Sequence, residues 1–356
     1  MIKDIFYQDW VMQEIEHLAR CSFLSLIIYF ILFNFTFAQD FPIQRVNFLI
    51  KSGIINIVNQ KYPEANKNFK QLTLEYPELP LGKIYLAAGK IAEAYDYKKE
   101  YDSDFIESNL KEAKEHAEKL LSTDEDNLWF NYFYALAEGY IAYFDAIQDN
   151  WLSALSTGMN SISAFGNCLN IENNFYEAYI AIGTYEYWMS RKTEFLDWIP
   201  YHNDKTKIGI EKLRTAITFA SYHSHLAVNS LIWIYIDQKD FNTAIEIGQK
   251  AVNEFPNSRY FKWGLARAYE DVNTDSSIQL YYELLESFKQ EIDQNRVNEI
   301  VLKHIIAQQY VKIGEQDKAL ILCDEILAMS NLNDYELSRL EERLERVKDF
   351  KNTLIQ

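Results

Sequence analysis

The sequence predicts an all-α protein, a solenoid of helix–turn–helix units laid end to end, and three observations predict it. His225–Ser258, HLAVNSLIWIYIDQKDFNTAIEIGQKAVNEFPNS, reads as two amphipathic helices. Val228, Leu231, Ile232 and Tyr235 recur at helical spacing in its first half, and Ala244, Ile245, Ala251 and Phe255 in its second. A polar break at Asp237–Asp240 separates the halves, and Pro256 closes the unit. The same register can be laid along most of the chain. Glycine (11) and proline (6) are scarce among 356 residues, which disfavours turn-rich β folds.

Taken in order, the chain opens on residues 1–38. Ser22 to Ala38 is an uncharged apolar run after Arg20, with small Thr36 and Ala38 where a signal peptidase would cut before Gln39. A cleaved signal peptide is expected, with an uncleaved N-terminal anchor as the alternative. Either way the chain is expected to be exported, to the periplasm or the envelope. The residues ahead of the run carry Asp4, Asp9, Glu14 and Glu16 against Lys3 and Arg20, an acidic balance that fits a start codon placed too early. Cys21 precedes the run and cannot serve as a lipobox cysteine.

Seven units follow, near 46–79, 80–126, 130–172, 176–222, 225–258, 259–294 and 300–333. The first carries Leu49 and Gly53, then Ala65, Phe69, Leu72 and Pro77; the last carries Ile306, Ala307 and Tyr310, then Ala319, Cys323 and Ile326. Three middle units need insertions. Asp334 to Gln356 reads as one polar helix, suited to shielding the last unit from water.

The 34-residue unit, with its small residues Ala244, Gly248 and Ala251 and its closing proline, resembles a tetratricopeptide repeat. The resemblance covers roughly 42–333 and implies a right-handed superhelix of about seven units with a C-terminal capping helix. The middle insert, Glu186–Glu211, is similar to exported bacterial repeat proteins and to the inclusion-body-clearance repeat family. Its Trp188, Phe195, Trp198, Ile199 and Tyr201 make it the most apolar loop of the chain, either a hairpin covering a neighbouring repeat or a lid over the groove.

No P-loop, GxGxxG or GxSxG occurs, and nothing places a nucleophile beside a base, so no enzyme and no cofactor are expected. His223 and His225 form an HxH at an inter-repeat turn without a third ligand, so no metal is expected. In a solenoid distant repeats do not touch, and Cys168 and Cys323 are expected as separate buried thiols. A net charge of −17 without a basic patch predicts no nucleic acid. Membrane contact is expected only through the N-terminal run.

What remains is a groove. In tetratricopeptide arrays the first helix of each unit lines the concave face, and the resemblance carries that role onto Tyr134 and Glu138; Tyr187 and Trp188; Trp233 and Asp237; Tyr260, Trp263, Arg267 and Asp271; His304 and Gln308. Aromatic anchors with a few polar groups compose a recognition surface for a protein or peptide segment. The acids Asp237 and Asp271 predict a ligand carrying Lys or Arg. The alternative role is a membrane-anchored accessory subunit of an envelope assembly.

Overall fold

A computed structural model describes residues 39–193, 204–289 and 296–355. The signal or anchor segment with Cys21, and Phe195, Trp198, Ile199, Tyr201 and His202 of the insert, lie outside the described residues. Among the described residues there are fifteen α-helices and no strand. None of these helices is long and apolar enough to cross a membrane. They run α1 (Gln44–Val58), α2 (Tyr62–Glu75), α3 (Leu81–Tyr97), α4 (Ser103–Leu121), α5 (Leu128–Ile147), α6 (Trp151–Ile171), α7 (Tyr176–Lys192) and α8 (Thr206–Phe219). Then come α9 (Ser224–Asp237), α10 (Phe241–Glu254), α11 (Arg259–Tyr269), α12 (Thr274–Lys289), α13 (Arg296–Lys312), α14 (Gln316–Leu327) and α15 (Asp334–Ile355). Each helix packs on the next, and first helices of neighbouring hairpins also touch: α1 on α3, α3 on α5, α7 on α9 and α9 on α11. This is a helical solenoid.

One turn recurs and shows the repeat at backbone level. Gln60, Lys98, Asp149, Lys239 and Gly314 each take positive φ between the two helices of a hairpin. In each case the next residue's N–H bonds back to a carbonyl in the last turn of the preceding helix, as in Asp240 N to Tyr235 O (2.9 Å) and Glu315 N to Tyr310 O (2.9 Å). That six-residue closure satisfies carbonyls a helix end leaves open. The following helix is then capped where the sequence allows: Asp240 accepts from Thr243 N at 3.2 Å and Asp102 from Phe105 N at 3.4 Å.

Close helix approach is set by small residues. Ala244 and Ala251 are buried, as is Gly248, which rests on Leu265. Helix α7 meets α8 backbone to backbone, where a Cβ on Gly209 would stand 2.5 Å from the Gly183 carbonyl oxygen. Only glycine fits there.

The array also closes on itself, which corrects the expectation that distant repeats do not touch. Val58 at the end of α1 shares a buried cluster with Ile232, Ala251 and Phe261. Asp96 near the end of α3 receives Arg259 Nε at 3.0 Å and Tyr62 Oη at 3.1 Å, while its own carbonyl accepts Asn298 Nδ2 at 2.8 Å. Arg259 lies over the rings of Tyr97 (5.1 Å) and Phe288 (4.5 Å). Further along, Phe41 N donates to Tyr222 Oη at 2.7 Å, and the Tyr85 and His223 rings stack at 5.8 Å. Residues more than 160 positions apart are thereby joined. Simple repeat patterning has no term for such contacts, because it describes only nearest neighbours. Cys168 and Cys323 are both buried and free.

Candidate functional site

The first helices of the later hairpins converge on an open cleft of about 440 Å³. Helix α9 contributes Trp233, α11 contributes Trp263 and Arg267, and α13 contributes His304 and Gln308. These five come from three successive hairpins, and the shared register puts them on one side. His304, Ile305 and Gln308 follow helical spacing, so one face of α13 forms a wall. Trp233 stands 38% exposed, whereas Trp263 is half-buried and meets Tyr281 edge-on at 5.8 Å.

Sequence reasoning missed the other side of the cleft. Helix α15 supplies Arg343 and Arg346, the C-cap of α11 adds Glu270, and α12 adds Tyr281. Glu270 is occupied: it pairs with Arg267 and accepts Tyr281 Oη at 2.6 Å. Arg346 pairs with exposed Glu342 at 3.5 Å. Arg343 donates from Nη1 to His304 Nδ1 at 3.4 Å. Burial, then the cations Arg343 and Arg346, push His304 down to about 4, so its imidazole is neutral at pH 7 and accepts that bond. Burial and then Arg346 lower the Arg343 guanidinium.

The remaining predicted site residues lie elsewhere. Tyr187 is fully buried; its hydroxyl donates to Asp237 at 2.6 Å, and Trp188 packs edge-on against its ring at 5.1 Å. Its ring is core and offers a partner no face. Asp237 also receives Arg191 Nε at 2.7 Å. Burial raises the Asp237 carboxyl, but the Arg191 and Tyr187 hydrogen bonds outweigh it and hold the group below the usual carboxylate range. Asp271 is held low by Lys312, whose ammonium stands 2.7 Å away. Both acids, read from the sequence as contacts for a basic ligand, already hold a basic partner within the chain. Tyr260 is half-buried beside Phe261 and faces the first hairpin through the Val58 cluster.

Tyr134 and Glu138 form a separate group on α5. Glu138 is fully buried, receives Lys114 at 2.7 Å and Tyr134 Oη at 2.9 Å, and keeps one carboxylate oxygen without a partner. His223, half of the HxH, lies in a buried network: its Nδ1 meets Glu177 at 2.8 Å and its Nε2 meets Tyr85 Oη at 3.4 Å. Glu177 also accepts Tyr222 N at 2.6 Å. The tautomer with the proton on Nδ1 satisfies both side-chain contacts. Among the described residues no three His, Cys, Asp or Glu side chains gather as a metal would require.

No family model matches the chain, and no curated protein does. Solved helical-repeat structures are similar to it. The human IFIT1 dimer with PPP-AAAA shares 14% identity at a TM-score of 0.46, over 82% of this chain and 62% of that one. A tetratricopeptide repeat protein from Parabacteroides merdae shares 12% identity at a TM-score of 0.38, over 88% of this chain and 100% of that one. The chain thus spans about 62% of the IFIT1 length. IFIT1 has also been solved with m7Gppp-AAAA. Those ligands stand against the expectation of no nucleic acid, which the net charge and the lack of a basic patch in the sequence had suggested. A whole-chain charge averages over the surface and does not describe the local field of a cleft such as that formed by Arg267, Arg343 and Arg346.

Proposed function

We propose that this chain is an exported, non-enzymatic helical-repeat scaffold that captures a segment of another protein in the cleft between α9, α11, α13 and α15. The observation that carries this reading is the convergence of Trp233, Trp263 and Arg267 on one open concavity, with His304 and Gln308 beside them. Trp and Arg dominate binding energy at interfaces, through large desolvated area and multiple donors. A concave site with aromatic walls and a few polar groups is the usual form of a binding pocket.

The test is crosslinking and pull-down from the native source with wild-type chain beside Trp233→Ala. Trp233 is partly exposed, so its truncation should leave helical circular dichroism intact while lowering capture by about tenfold or more. Unchanged capture by a folded Trp233→Ala chain would place the contact surface elsewhere. Export rests on the Ser22–Ala38 run. Sequencing the mature N-terminus tests it: Gln39 supports a cleaved signal, and a retained run in the membrane fraction supports the anchor.

A further inference from the structure

We infer that helix α15 is a binding wall as well as a cap: together with α13 it receives a carboxylate, so that the segment taken by the cleft is acidic. This rests on the reading that the cleft captures a protein segment, and it names the chemistry of that segment.

The packing of α15 separates two faces. Leu340 and Val347 are buried in the C-terminal core, and Leu344 and Phe350 pack against it. Arg343 and Arg346, one helical turn apart, line the cleft instead. A helix needed only to shield the last hairpin has no reason to bring two guanidiniums to a cleft edge.

The charges around the cleft do not cancel. Three guanidiniums line it against one carboxylate, Glu270. Arg267 is matched by that carboxylate, and Arg346 by Glu342 on the exposed side. Arg343 is half-buried, and among the described residues no ion pair holds it; it leans on a neutral imidazole. A cation removed from water without a counter-charge is unfavourable, and a bound anion would relieve the cost. The whole chain carries −17, so a local surplus of cations runs against its background.

The size of the surplus decides the ligand. One unmatched guanidinium suits one carboxylate, whose two oxygens match the paired N–H groups of its fork. A triphosphate brings several charges and would leave most of them unmet. Trp233 and Trp263 then flank the apolar neighbour of the acidic residue. The cleft volume, about 440 Å³, holds a few side chains rather than a domain.

The experiment selects a random displayed peptide library on the immobilised full chain. The expected result is enrichment of Asp or Glu beside an aromatic or aliphatic residue. Binding of selected peptides should fall about ten- to a hundredfold with Arg343→Gln, and comparably when the peptide acid becomes its amide. Circular dichroism checks the fold, and Arg346→Gln, at an exposed position, gives a second variant with a smaller loss expected. Peptides without acids, indifferent to Arg343→Gln but lost with Trp233→Ala, would overturn the acidic assignment while leaving segment capture standing. A selection that enriches nothing would overturn segment capture itself. A 5′-triphosphorylated oligoadenylate that displaces the peptides and binds more tightly, with the same Arg343 dependence, would overturn the carboxylate in favour of nucleic acid.

Discussion

The two ends of helix α11 handle charge in opposite ways. At its N-terminus Arg259 is buried, yet it is matched by Asp96 and covered by Tyr97 and Phe288. The Glu177 carboxylate, in the second buried network, is held by hydrogen bonds from Tyr222 N and from His223. At the other end of α11 the cleft gathers Arg267, Arg343 and Arg346 around a single glutamate. Matched charges fix which distant hairpins meet, because a wrong meeting leaves a buried ion alone. Of these three only Arg343 has no ion pair among the described residues, and its charge is left to act outward.

The largest expected effect breaks the matched end. Arg259→Ala leaves the Asp96 carboxylate short of its partner and should cost about 3–5 kcal/mol, read by denaturant unfolding. A loss below about 1 kcal/mol would mean the closure contributes little to stability. Next, Gly209→Ala forces a Cβ against the Gly183 carbonyl and should cost about 1–3 kcal/mol with every charge untouched. It serves as the uncharged reference for the same measurement.

Acid sharpens the comparison further. His304 is held at about 4 by burial, then by Arg343 and Arg346, and His225 at about 3 by burial, then by His223. Both lie below the ordinary value of 6.5, so as pH falls the unfolded chain takes protons before the folded one does. Their contribution to stability is therefore present above about 6.5 and is lost as pH drops toward 4, seen as a falling Tm. Arg343→Gln removes a nearby cation and should raise the His304 titration, followed by NMR of the ring. The smallest effect is on stability itself: Arg343→Gln should change it by no more than about 0.5 kcal/mol, since no ion pair is broken. A cost as large as that of Arg259→Ala would make Arg343 a structural residue like its counterpart.

Much of the helical architecture was legible because it is local. Period, breaks and the final polar run are written in neighbouring residues, and α9, α10 and α15 lie where Val228–Tyr235, Ala244–Phe255 and Asp334–Gln356 placed helices. Trp233, Trp263, Arg267, His304 and Gln308 were reachable through one register shared by successive first helices. Arg343 and Arg346 were not, because α15 stands outside that register and its roll on the core decides what it shows. Tyr187 was misread for a similar reason: its burial follows from the close crossing at Gly183 and Gly209. The pairing of Asp237 and Asp271 was not legible because they find their partners in three dimensions, Arg191 and Lys312 lying 46 and 41 residues away.

The closure of the array has a kinetic consequence. An open solenoid can fray from either end, because each repeat depends only on its neighbours. Here Val58 shares its cluster with Phe261, and Asp96 is tied to both Arg259 and Asn298, so the first hairpins cannot peel away without uncovering the later ones. Contacts of such long sequence separation raise contact order, which slows folding relative to a purely local helical array. They also merge segments that would otherwise open separately into one cooperative unit. Hydrogen exchange should therefore report similar opening free energies for α1, α3, α9 and α11, rather than a gradient rising from the ends to the middle.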